Sequence, residues 1–230
     1  MGLCPGDTPE PYEEWLDRKP APQPLAIQLI TDTRAHADSE LVGPLAMALV
    51  NSTLYPDIAD ELDQWKDDLL KEGWSVRITS ATFPTAPELR DYLASVENLA
   101  SVLLIGDFPV PIYEIGDESD KDYQWFPVDL YFMDLNGVWG DQDKDGKYDS
   151  FSGHREPEIS FGRLTAGSLT YGKSETKLVN EYLERNHEYR TGNLKLPARA
   201  LLLRITIGLV SQRPMLQMGW HYCTQWTQRL

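Results

Sequence analysis

Between Asp141 and Asp149 the chain reads Asp141-Gln-Asp143-Lys-Asp145-Gly146-Lys-Tyr-Asp149, with carboxylates at alternate positions and a glycine at the sixth. Hard divalent cations ask for this arrangement. Calcium takes six to eight oxygens at about 2.3–2.6 Å, and a D-x-D-x-D-G turn offers them from alternate side chains and from the backbone carbonyl of the seventh residue. The ligands predicted on this pattern are Asp141, Asp143, Asp145, the main chain of Lys147, and Asp149, around a structural calcium. The twelfth position, where an EF-hand places a bidentate glutamate, is Ser152, so a full EF-hand is disfavoured and oxygens from outside the loop must close the shell. Asp134, Asn136 and Glu156 are the nearby candidates. The competing reading is an acidic, solvated hairpin tip. Clustered carboxylates repel one another unless an ion or strong solvation relieves them, which favours the ion.

Other side chains with chemical potential are scattered. His36, His154, His187 and His221 show no His-x-x-x-His or Cys-His spacing, and Cys4 and Cys223 stand near opposite ends, so neither a zinc site nor a disulfide framework is indicated. Asp107, after Leu104-Ile-Gly106, reads either as a strand-end catalytic carboxylate or as a turn residue. Asp129 reads as a metal ligand or a cap on a strand edge. Trp125, Trp139 and Tyr148 read as a sugar-binding platform or as aromatics covering a core edge, the commoner use of such rings. Arg163 reads as one half of a structural ion pair. A metal-dependent hydrolase built on Asp129, Asp134 and Asp141 is a further alternative.

These residues need a scaffold, and the pattern predicts an α/β one: a mainly parallel sheet flanked by helices. Leu25–Ile30 reads as a buried strand, the stretch from Leu54 to Gly73 as an amphipathic helix with Ile58, Leu62, Trp65 and Leu69 inward, and Trp74–Thr79 as a half-buried strand. A helix opens at Pro87 and runs through Leu89, Leu93 and Val96. The apolar run Val102–Ile105 is a strand covered on both faces. Past it come a long acidic loop, an apolar segment Asp129–Met133, a short strand Glu158–Phe161 and a helix from Ser174 to Tyr189, with Leu178, Tyr182 and Leu183 inward. Arg199–Leu203 reads as the next strand.

The whole chain has 230 residues, 41% of them hydrophobic and 25% charged, enough for one domain with its own core. Its 36 acidic against 21 basic residues give a net charge of −15, which repels phosphate backbones, so no nucleic-acid partner is expected. No apolar run approaches a membrane span, and no signal peptide is visible at the first residues. Residues 1–24, with Pro5, Pro9, Pro11, Pro20, Pro22 and Pro24, read as a leader or linker.

Four fragments in order resemble the gingipain-type (C25) cysteine peptidases: Val102–Pro111, Phe126–Gly137 with the acidic loop behind it, Pro157–Leu164 and Asn186–Gly192. The resemblance implies a caspase-like α/β fold, of which residues 25–203 form the N-terminal subdomain with its calcium loop at 134–152. It also implies an extracellular or cell-envelope location and a calcium that stabilises rather than reacts. The family's His/Cys dyad belongs to a second subdomain, so no catalytic residue is carried over to this chain. A protein or peptide substrate is implied only where that subdomain is present.

From Arg204 to Leu230 there is no Asp or Glu, whereas the preceding residues hold all 36. Against the family's pattern, this predicts either a change of reading frame near Arg204 or a natural basic and aromatic tail. The functional expectation is a truncated, inactive gingipain-like fragment with a structural calcium loop. The alternative is a non-enzymatic, calcium-dependent surface binding module.

Overall fold

The computed structural model describes residues 21–34, 43–116, 123–153, 156–167, 169 and 172–195. The expected strand Arg199–Leu203, the tail 204–230, the leader up to residue 20, and Cys4, Cys223, His36, His154 and His221 lie outside them.

The architecture follows from one central strand. β2 (Leu45–Asn51) is fully buried along nearly its whole length and pairs in parallel with β3 (Ser75–Thr82) on one side and with β4 (Leu99–Ile105) on the other. β9 (Ser160–Leu164) extends the parallel sheet beyond β4, and β1 (Ala26–Thr33) pairs antiparallel with β3, giving the order β1-β3-β2-β4-β9. An α/β fold with a mainly parallel sheet is therefore present, as the pattern predicts. The sequence pattern alone assigns no strand to 45–51. Its Leu, Ala and Met residues favour helix, and only burial on both faces between parallel neighbours makes them a strand.

Helices cover both faces. α1 (Ala59–Lys71), entered through a 3₁₀ turn at Tyr55–Asp57, buries Leu62, Trp65 and Leu69, and Gly73 reverses the chain at φ +89°. Beside it on the same face lies α4 (Glu175–Arg190), capped by Ser174, whose hydroxyl accepts from Lys177 N, and followed by Gly192 at φ +77°. Its buried residues are Val179 and Leu183, whereas Tyr182 is exposed, so the inward face is rotated from the one predicted through Leu178 and Tyr182. Contact with α1 as well as the sheet selects that face.

The opposite face is covered by α2 (Ala86–Ser95), whose Thr85 cap accepts from Glu88 N, and by the short α3 (Leu130–Met133). Tyr131 and Phe132 of α3 are buried, which makes the apolar Asp129–Met133 segment a helical turn packed on the core rather than a strand.

One expectation is overturned at the edge. β1 is a strand but not a buried one: Leu25, Ile27 and Leu29 are 51%, 45% and 56% exposed. An antiparallel edge strand has one neighbour, and among the described residues no helix reaches over this row. The described residues belong to one compact unit extending through Lys195.

Candidate metal centre

The chain between β4 and β9 builds the acidic site on two small hairpins. β5 (Ile112–Ile115) pairs with β6 (Gln124–Pro127), and β7 (Val138–Gly140) pairs with β8 (Ser150–Ser152). The loop from Asp141 to Asp149 is the tip of the second hairpin. Tyr148 stitches it to the first: its N–H donates to Ile112 O and its carbonyl accepts from Glu114 N, both at 2.8 Å. The ring of Tyr148 stacks on Tyr131 with centroids 4.6 Å apart, which anchors the stitch in the core. Burial pushes the Tyr148 phenol well above its ordinary value, with a hydrogen bond to Tyr131 adding to the shift.

This geometry brings two sets of carboxylate oxygens together. Asp141, Asp143 and Asp145 offer oxygens within 4.8 Å of one another, and Glu114, Asp143 and Asp149 do the same. Asp143 belongs to both, so the two groups form one continuous patch that can hold a metal ion. The loop backbone curls around its own side chains. Lys144 N and Gly146 N donate to the two oxygens of Asp141 at 2.7 and 3.0 Å, Gln142 N donates to Asp149 Oδ2 at 3.0 Å, and Lys147 N donates to Asp145 Oδ1 at 2.8 Å. Gly146 at φ +95° makes the turn, a conformation that costs other residues strain.

Electrostatics separates the members. Desolvation by the surrounding loop, with repulsion from Asp145 and Glu114, pushes the Asp143 carboxyl above its ordinary value. The Lys147 ammonium beside Asp145 holds that carboxyl below it. The same ammonium reaches Glu114 Oε2 at 3.3 Å and the Tyr123 hydroxyl at 2.8 Å, so a cation already neutralises part of the patch. Asp149 Oδ1 is buried with no hydrogen-bond partner, an oxygen that protein donors leave for something else.

The chain as a whole matches no protein-family model, no curated protein and no solved structure.

The remote donors differ from those expected. Glu114, only 3% exposed on β5, supplies the oxygen from outside the loop. Asp134 is fully buried in its own turn, where Oδ1 accepts from Gly137 N at 2.8 Å, and neither it nor Glu156 joins either group. Asn136 donates its amide to Glu158. No local pattern marks Glu114, because its partners come from the loop more than 25 positions on and meet it only where Tyr148 and Lys147 join that loop to β5.

Asp129, Arg163, Trp139 and Tyr148 resolve into structural roles. Asp129 accepts from Arg163 Nε with both oxygens, at 2.9 and 3.0 Å, and Arg163 also donates to the carbonyls of Phe108 and Pro109. That is the ion pair predicted for Arg163, and Asp129 joins neither acidic group. Trp139 and Tyr148 pack against the core cluster with Tyr131, so they cover a core edge. His187 meets Asp68, and no thiol occurs among the described residues. No described helix is long and apolar enough to cross a membrane.

Proposed function

We propose that this protein is a calcium-stabilised, non-catalytic α/β support domain of the gingipain type, which works outside the cell or in its envelope. The observation that carries the metal reading is the convergence of Glu114 with Asp143 and Asp149 beside the Asp141, Asp143 and Asp145 set. The described residues supply no thiol and no imidazole beside one, so the chemistry of a cysteine peptidase would reside in an accompanying subdomain. A protein or peptide substrate enters the picture only with that subdomain.

Calcium fits the donors. They are all hard oxygens, and Gly146 gives the turn that brings alternate carboxylates of the loop to one side. Within this chain the ion would neutralise mutually repelling carboxylates and lock the β7–β8 hairpin to β5. Its role is mechanical rather than reactive.

Titration calorimetry with calcium on the protein and on the double variant Asp143→Asn/Asp145→Asn tests the site: heat of binding is expected in the first and not in the second. Equal, negligible heats in both would remove it. The non-catalytic reading is tested separately by peptide hydrolysis with calcium present, where turnover abolished by thiol alkylation would contradict it.

A further inference from the structure

The Lys147 ammonium is held by the same carboxylates that would hold a metal ion. Its Nζ lies 3.3 Å from Glu114 Oε2 and also meets Asp145 Oδ2. Those two residues belong to different oxygen sets, Glu114 with Asp143 and Asp149, Asp145 with Asp141 and Asp143. One side chain therefore bridges the two halves of the patch and occupies an acceptor in each.

This contact is withdrawn from solvent. Glu114 is buried and the Lys147 side chain is only 23% exposed, so water and salt weaken the pair less than they would a surface one. Tyr123 closes it from another side. Its hydroxyl donates to Glu114 Oε2 and accepts from Lys147 Nζ, both at 2.8 Å, and its ring centre lies 5.5 Å from the ammonium. Glu114 is on β5 and Tyr123 immediately precedes β6, so the ammonium ties the acidic loop to both strands of the first hairpin.

The two parts of Lys147 stand in opposite relations to a cation. Its main-chain carbonyl is the expected seventh-position ligand, whereas its ammonium takes up oxygens that the ion needs. A divalent ion among these carboxylates and an ammonium on the same groups repel each other at short range. Being tethered, the ammonium is present at a fixed, high local concentration. A free monovalent cation brings no more charge than the ammonium already supplies; a divalent one does. The flexible four-carbon stem lets the side chain swing to water when it is outcompeted. We infer that Lys147 is a built-in counter-ion that a divalent ion must displace from Glu114 and Asp145, lowering the affinity for calcium and releasing Tyr123 as it leaves. The inference rests on the calcium reading of the acidic loop.

Calcium titration calorimetry on the unaltered protein, on Lys147→Met and on Lys144→Met gives the first measurement. Lys144 is exposed in the same loop, so its variant measures the effect of losing a charge alone. Lys147→Met should bind calcium about tenfold more tightly than the unaltered protein, and Lys144→Met no more than about threefold. The second measurement needs no variant to fold: in the unaltered protein, calcium should move the ¹H–¹³C signal of the Lys147 Cε methylene and the Tyr123 ring signals together, with one midpoint. A Lys147 signal that stays put while calcium binds overturns the inference and leaves the calcium site standing, as does an equal gain in the two variants. Absence of binding heat in all three proteins removes the calcium site and this inference with it, whereas heat in Lys147→Met alone shows the same competition at greater strength.

Discussion

His187 Nδ1 lies 2.6 Å from Asp68 Oδ2, joining α4 to α1 across 119 positions of chain. Asp68 is 5% exposed on the inner side of α1, although its neighbours Asp60, Asp63 and Asp67 make that helix look uniformly acidic outside. Gln64 Nε2 and Lys71 Nζ share its other oxygen at 3.2 and 3.4 Å. A buried carboxylate with three partners is a clamp between the two helices on that face of the sheet.

The clamp should weaken in acid. Burial alone pushes the Asp68 carboxyl up, but the hydrogen bond and charge of His187, with Lys71 adding, outweigh it and hold the group below its ordinary value. A carboxyl depressed in the folded state contributes stability that is present above its unfolded value of about 3.9 and is lost as pH falls through the folded one. His187→Ala is expected to cost about 1–2 kcal/mol at neutral pH by chemical denaturation. Asp68→Asn should flatten the fall in melting temperature between about pH 5 and pH 3 relative to the unaltered protein. Identical acid limbs in the two would show that Asp68 contributes nothing there.

Calcium should raise the melting temperature, and Glu114 should matter as much as the loop. At a free ion concentration a hundred times the dissociation constant, binding adds about 2.7 kcal/mol. For a chain of this size that is about 5–10 °C, reversed by chelator. Glu114→Gln keeps the shape and removes a charge; it should lose most of that increment. An unchanged calcium response in this variant would leave the Asp141 set to act without β5.

Ion binding should also fade early in acid. Because Asp143 sits above the ordinary carboxylate value, protons compete for it at a higher pH than for a typical aspartate, and calcium affinity falls as pH drops through that raised value. Calorimetric titrations at neutral pH and near pH 5 read the difference. Asp143→Asn should remove the pH dependence together with most of the affinity.

Arg163→Lys is predicted to be damaging despite the retained charge. The guanidinium spans two carboxylate oxygens of Asp129 and two backbone carbonyls, and lies 5.5 Å from the ring centres of Phe132 and Phe161. An ammonium cannot reproduce that fork. Asp129 is 37% exposed, so solvent screening limits the loss to about 1–2 kcal/mol, measurable as a shift in denaturation midpoint at constant slope.

Gly106→Ala tests the join between β4 and β2. At φ +93° an added Cβ is strained in itself and would meet Asn51 as well, so the loss should exceed the roughly 1–2 kcal/mol of a left-handed non-glycine residue alone. Gly73→Ala, at a similar φ but with open space around it, supplies the control and should cost only the conformational part.

Periodicity and residue type by themselves determined the α/β class, the amphipathic α1, the approximate starts of α2 and α4, and the acidic loop, because each of these is a local pattern within a few residues. Tertiary structure alone decided that Leu45–Asn51 is the central strand, since its composition favours helix until both faces are buried. It also decided that Leu25, Ile27 and Leu29 stay exposed, because a strand's burial depends on which neighbours the sheet gives it. Glu114 and Asp68 belong to the same class. Each acquires its meaning from partners more than 25 positions away, and no spacing rule along the chain encodes a contact that only the sheet order and the packing of the hairpins bring about.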